Sequence, residues 1–274
     1  MALAFSDKNP VLVDKDTPLL ETTRKMTSRG KYHAFLTTGE GRLWGVLSIR
    51  DIAKALFVHG EEGMELVELA KLGGILKSPS HLYAAHPPIA SPHDISFEEA
   101  ISIMVGKNIG SLPLVDNKGR VLGALDERYL IKSIPDYTDL RACDIASWSP
   151  VGTEPDALLE EAVGLMLSMN IRRLVVRDSQ GATVGLVSLP LIIKYLTSEE
   201  NIEKMLKGSR EPVEKPVGDL SLKPWVVDCS YTLKEIASIM YFEPTGAVLV
   251  SDNGKEGIIT ERDMMIALEE ELNK

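Results

Sequence analysis

Apolar and polar residues recur in one order four times along the chain. A short apolar run behind a proline comes first: Val11-Leu12-Val13 after Pro10, Ile89-Ala90-Ser91 after Pro88, Val151-Gly152-Thr153 after Pro150, and Trp225-Val226-Val227 after Pro224. Eleven residues beyond each proline stands a glutamate (Glu21, Glu99, Glu161, Glu235), and five further on a methionine (Met26, Met104, Met166, Met240). Around them apolar positions fall at helical spacing, as at Ile101, Met104 and Val105 or Val163, Met166 and Leu167. β-rich runs follow, such as Leu112-Pro113-Leu114-Val115, Leu174-Val175-Val176 and Ala247-Val248-Leu249-Val250, with turns at Asp116-Asn117-Lys118-Gly119 and Asp252-Asn253-Gly254. Each copy ends on a corner where a glycine and two apolar residues meet a polar N-cap: Gly45 to Ser48, Gly123 to Asp126, Gly185 to Ser188 and Gly257 to Thr260. The unit predicted is β-α-β-β-α, four times over.

Helix starts are legible at Ser96-x-x-Glu99 and Thr232-x-x-Glu235, which have capping-box spacing. Pro18 suits a first turn in copy one, and Asp156 is the expected cap near Leu158 in copy three. Between the repeats, Met64 to Leu72 reads as a short helix ended by Gly73-Gly74. Asp144-Ile145 and Asp219-Leu220 read as lead-ins that dock ahead of the next repeat. A unit of this size buries its apolar face best against a partner, so four pair as two plus two, with the boundary at Pro135-Asp136. This gives halves 1–135 and 136–274, with repeats at about 8–58, 86–135, 148–197 and 222–272.

Composition narrows the function. Of 274 residues 44% are hydrophobic and 26% charged, ordinary globular values. The net charge of −10 speaks against general affinity for nucleic acid or anionic membrane. No apolar run approaches the roughly 18 residues of a membrane span, and the first residues do not resemble a signal peptide. Cys143 and Cys229 lie far apart without a CxxC, so neither a disulfide framework nor a zinc ribbon is expected. Together these place the protein in a reducing cytoplasm.

The corners, the Glu99-Ala100 and Glu161-Ala162 helices, and Ile171-Arg172-Arg173-Leu174-Val175-Val176 resemble the CBS domain, a family found as tandem pairs called Bateman modules. The resemblance spans nearly the whole chain. It implies an α+β fold of four CBS repeats paired into two Bateman modules, which can assemble into a disk within one chain or through a homodimer. It also implies clefts that bind adenosine-containing ligands and report their occupancy to a partner protein, without chemistry.

Copies one and four keep Ser/Thr-x-Arg-Asp, whereas copies two and three carry Asp126 with Tyr129 and Ser188 with Leu191. The resemblance assigns the corner carboxylate to the ribose, here Asp51 and Asp263. Its two acceptor oxygens suit a diol. Ser48 and Thr260 would meet a phosphate at a helix N-terminus, and Arg50 and Arg262 would neutralise it. Arg173, with Arg172 beside it, and His33 supply a second set of basic candidates. The same Ser/Thr-x-x-Asp spacing is also an ordinary capping box that simply starts a helix. The expected ligand is AMP, ADP or ATP, with S-adenosylmethionine as another adenosine compound, one site per module. His81, His86 and His93 do not share a helical face, and no metal is assigned to them. The sequence shows no Gly-x-Ser-x-Gly, HExxH or convincing nucleophile and base pair. Two other readings use the same residues: an interaction scaffold with decayed clefts, and a nucleic-acid-binding CBS protein.

Overall fold

The computed structural model describes residues 1–60, 64–134 and 138–273. The first repeat runs β1 (Val11–Asp14), α1 (Leu19–Ser28), β2 (His33–Thr37), β3 (Leu43–Ser48) and α2 (Ile49–Leu56). After it come β4 (Phe57–His59), β5 (Met64–Leu66) and α3 (Leu69–Lys77). The second repeat is β6 (Ser91–Pro92), α4 (Phe97–Gly106), β7 (Ser111–Val115), β8 (Val121–Asp126) and α5 (Glu127–Leu130). A lead-in of α6 (Ala142–Ile145) and β9 (Ser147–Trp148) precedes β10 (Gly152–Thr153), α7 (Leu159–Ser168), β11 (Arg173–Arg177), β12 (Thr183–Ser188) and α8 (Leu189–Leu196). Then α9 (Glu199–Leu206) leads to β13 (Val226–Asp228), α10 (Leu233–Phe242), β14 (Ala247–Asp252), β15 (Lys255–Thr260) and α11 (Glu261–Leu272). In each repeat the first strand lies parallel to the second and the second antiparallel to the third.

The caps follow local chemistry. Ser96 and Thr232 hydroxyls accept the N–H groups of Glu99 and Glu235. At α7 the expected cap, Asp156, is displaced: Leu158 is the N-cap, and its N–H donates to the Glu161 carboxylate at 2.8 Å. The carboxylate at the third helical position thus supplies one half of a capping box, and the leucine side chain cannot supply the other.

The expected 64–72 helix is also corrected. Met64 to Leu66 pair with Phe57 to His59 as a hairpin, and α3 runs straight through Gly73 and Gly74. Gly73 faces α9 closely enough that a Cβ would lie 3.2 Å from Leu206, so the glycine serves close helix packing rather than termination.

Lead-in segments are exchanged between neighbours. Asp7, ahead of repeat one, bridges to Ala124 of repeat two, and Ala85, ahead of repeat two, bridges to Val46 of repeat one. Likewise β9 pairs with β15, and Leu222 bridges to Leu186. Val175 and Leu186 of the third repeat's sheet bury against Ala247, Leu249 and Ile258 of the fourth's. Helices make the other contacts: Met26, Leu56, Met166 and Ile192 share one core between repeats one and three, and Met104, Leu130, Met240 and Met264 share another between repeats two and four. The repeats therefore close a ring in the order first, second, fourth, third. The four repeat methionines are fully buried, as flexible core filler would be.

The boundary drawn at Pro135-Asp136 lies outside the described residues. No disulfide framework was expected, yet the two cysteines are linked. Cys143, in α6, is disulfide-bonded to Cys229, just beyond β13, with Cα atoms 4.8 Å apart. Their separation of 86 residues hid the pairing, because docking of the lead-in onto repeat four brings them together. With the two cysteines bonded, cysteine usage no longer points to a reducing compartment.

Candidate ligand cleft

The β3–α2 and β15–α11 corners carry the two acidic motifs. Ser48 N–H and Oγ both donate to Asp51 Oδ2, at 2.8 and 2.7 Å, while Asp51 N–H returns a bond to Ser48 Oγ. Thr260 N–H and Oγ1 donate to Asp263 Oδ2 at the same two distances. One carboxylate oxygen thus holds each helix start. The other is spare at Asp51, whose Oδ1 takes no hydrogen bond among the described residues, but not at Asp263, whose Oδ1 accepts Ser147 Oγ at 3.1 Å. Capping uses one oxygen of each carboxylate, so it does not by itself decide between the two readings of this motif.

All nine residues singled out from sequence (His33, Ser48, Arg50, Asp51, Arg172, Arg173, Thr260, Arg262 and Asp263) line one cavity of about 660 Å³. Wells of this size suit small-molecule ligands. One end lies between the Ser48–Asp51 corner and residues 87–89 and 108–111 of repeat two. The other lies between Thr260, Asp263 and residues 147–151 and 170–173 of repeat three. His33, Arg50, Glu127, Arg172 and Arg262 belong to the same lining.

The guanidinium groups are not equivalent. Arg262 donates to the carbonyls of Met104 and Val105, at 3.2 and 2.9 Å, where the end of α4 presents the negative pole of its dipole. Arg172 donates to Glu127 at 2.8 Å, and Glu127 with Glu261 raises its pKa against the opposing effect of burial. Arg50 reaches the Asn170 carbonyl at 3.2 Å, but its buried Nε has no partner among the described residues. Burial, then the neighbouring Arg172 charge, pull Arg50 below the ordinary guanidinium value despite Asp51 and Glu127. A cation destabilised in this way is a place where an anion is welcome.

Arg173 and His33 have other commitments. Arg173 is 8% exposed and donates to Thr245 O, Gly246 O and the Glu261 carboxylate, which ties repeat three to repeat four. His33 Nδ1 lies 3.2 Å from Asp126 Oδ2, which pairs the second repeat's corner carboxylate with an imidazole of the first. Sequence reasoning missed Glu127, Glu261 and Tyr32, whose hydroxyl accepts Arg128 at 2.8 Å. Nothing in their local spacing marks them, since their partners come from other repeats.

Of the three histidines considered for metal, His86 stacks on Trp44 with ring centroids 4.2 Å apart, and His81 meets the same ring edge-on at 5.4 Å. Among the described residues no group of three or more His, Cys, Asp or Glu is placed to hold a metal ion, and no helix is long and apolar enough to cross a membrane.

The exchanged lead-ins and acid-capped corners define a mixed α and β repeat protein with clefts between paired units. The chain belongs to the CBS domain family, which matches at residues 4–58, 81–136, 142–198 and 217–270. It is 27% identical over 266 residues to a 33.4 kDa protein from a ribosomal RNA operon of Thermofilum pendens, covering 94% of this chain and 87% of that one. The fold is similar to a crystal structure from Methanocaldococcus jannaschii described as a candidate archaeal homologue of g-AMPK, with TM-score 0.84 and 22% identity over 97% of this chain and 98% of the other. A Pyrococcus horikoshii structure matches over the same shares with TM-score 0.62 and 17% identity.

Proposed function

We propose that the protein is a non-enzymatic sensor of adenosine-containing ligands, organised as two Bateman modules, 1–135 and 136–274. AMP, ADP or ATP, or S-adenosylmethionine, occupies the cleft at each acidic corner. Asp51 and Asp263 receive the ribose hydroxyls on their outer oxygens. Ser48, Thr260 and the adjoining helix N-termini receive phosphate, and Arg50, Arg172 and Arg262 balance its charge. His33 and Arg173 act through the pairs they hold. The observation that carries this reading is the convergence of both Ser/Thr-x-Arg-Asp corners and an under-neutralised Arg50 on one cavity.

Signalling follows by linkage. A ligand that prefers one packing of the paired repeats shifts the population towards it, and a partner protein with the same preference then binds more tightly. Thermal unfolding with AMP, ADP, ATP, S-adenosylmethionine and GTP tests the binding step. A ligand at about a hundred times its dissociation constant adds roughly 2.7 kcal/mol, which moves the midpoint by several degrees. A shift with adenosine compounds supports a sensor; none with any of them leaves a structural scaffold.

A further inference from the structure

The lead-ins to repeats two and three dock on their neighbours at equivalent positions, but by different chemistry. Seven residues before the strand-leading proline stand His81 in the first of these lead-ins and Cys143 in the second. Five residues after the receiving repeat's own proline stand Lys15 and Cys229. His81 meets Lys15 through hydrogen bonds: its N–H donates to Lys15 O at 3.0 Å, and its Nδ1 lies 3.2 Å from the same oxygen. Cys143 meets Cys229 through the disulfide. The lead-in facing the Asp51 corner is thus held by hydrogen bonds, and the lead-in facing the Asp263 corner by a covalent bond that a reductant can open.

The tethered segment is short. It has four residues in α6 and two in β9. Besides the disulfide, its docking rests on buried Ala142, whose N–H donates to Tyr231 O at 2.9 Å, and on Ser149 N–H to Glu256 O at 3.1 Å. The two-residue pairing of β9 with β15 and the Ser147 Oγ bond to Asp263 Oδ1 complete it. Segments with so few contacts open at a small fraction of the global stability. Both cysteines are half-buried, and Asp144, Asp228 and Ser230 beside them are exposed, which gives an attacking thiolate a path to the sulfurs. The same segment brings residues 147–150 onto the cavity wall.

We propose that the Cys143–Cys229 pair is a redox site that controls ligand affinity at the Asp263 cleft and leaves the Asp51 cleft untouched. A dithiol reductant attacks one sulfur, the S–S bond breaks and a mixed disulfide forms. The reductant's second thiol then resolves it. Two electrons and two protons pass to the protein, which ends with two thiols, and the reductant ends as a disulfide. A ligand entering the Asp263 cleft must then order the released lead-in, so it binds more weakly. Linkage requires the converse: ligand in that cleft makes the bond harder to reduce by the same factor. This rests on the nucleotide reading above and adds that one of its two sites is under redox control.

The test is calorimetric titration of AMP into two full-length variants, Asp51→Ala, which keeps the Asp263 cleft, and Asp263→Ala, which keeps the other. Each is titrated oxidised and again after reduction with dithiothreitol, below the unfolding temperature of the reduced chain. Reduction should weaken AMP about tenfold in Asp51→Ala, reversibly on reoxidation, and leave Asp263→Ala unchanged. Adding Cys143→Ser with Cys229→Ser to Asp51→Ala should fix the weak affinity whether or not dithiothreitol is present. In a dithiothreitol redox buffer, saturating AMP should lower the reduction potential of the pair in Asp51→Ala by about 30 mV, the same tenfold factor. Equal affinity of oxidised and reduced Asp51→Ala, an equal loss in Asp263→Ala, or a pair that opens only with global unfolding overturns the redox site. Absence of AMP binding to the oxidised, unmutated chain overturns the nucleotide reading itself.

Discussion

Glu127 of the second repeat accepts a hydrogen bond from Arg172 of the third at 2.8 Å, across the ring of repeats. Its other oxygen lies 3.2 Å from Arg262 of the fourth, so a single carboxylate, 5% exposed, restrains two arginines of the cavity. Glu127→Gln removes that restraint while keeping the shape. Breaking the pair should cost about 3 kcal/mol, at the low end for a buried ion pair because Arg262 remains 22% exposed. The freed cations should tighten ATP more than AMP, read by titrating both ligands. A variant with unchanged stability and an unchanged ATP to AMP ratio would show that Glu127 does not set the charge of the cavity.

Gly246 has φ +63, and a Cβ there would run into Glu261 and Arg173. Gly246→Ala therefore combines left-handed backbone strain with disruption of the tie between repeats three and four. A loss of roughly 1–3 kcal/mol is expected in chemical denaturation. Gly119→Ala, at φ +76 in open space, isolates the backbone effect alone and should cost less.

The Cys143–Cys229 bond anchors α6, and with it the strand that carries Ser147 and Trp148 into the second cleft. Reduction, or Cys143→Ser, should cost roughly 2–4 kcal/mol. The thermal midpoint should fall in dithiothreitol for the unmutated chain and stay put for the variant. Two titratable thiols in the unreduced native protein would contradict the pairing.

Asp126 gives a pH signature. Burial disfavours its charge, but the His33 hydrogen bond, the charges of His33 and Lys31 and the Arg128 N–H outweigh it and hold the carboxyl below its ordinary 3.8. A carboxylate with a depressed folded value contributes stability above its unfolded value and loses it as the pH falls through the folded one. Asp126→Asn should thus cost about 1.5 kcal/mol at neutral pH, and the gap from the unmutated protein should close as the pH drops below 3.8. A gap that persists unchanged into acid would assign the effect to packing.

Much of this site was legible because repetition supplied the alignment. Four corners in register set Asp51 and Asp263 against Tyr129 and Leu191, and the capping spacing marked where the helices begin. What sequence could not show depends on contacts between repeats: Arg173 bound to Glu261, Glu127 between two arginines, and Cys143 beside Cys229. Gly73 misled for a related reason. Its role is the approach of α9, and a glycine pair looks the same whether it ends a helix or admits a neighbour.

In the proposed function two corner carboxylates hold two nucleotides in one shared cavity. Calorimetric titration of AMP into the full chain tests it most directly. Two AMP should bind per chain, falling to one in Asp51→Ala and one in Asp263→Ala, each loss belonging to a different cleft. Two AMP retained in both variants, or none bound by the unmutated protein, would contradict it.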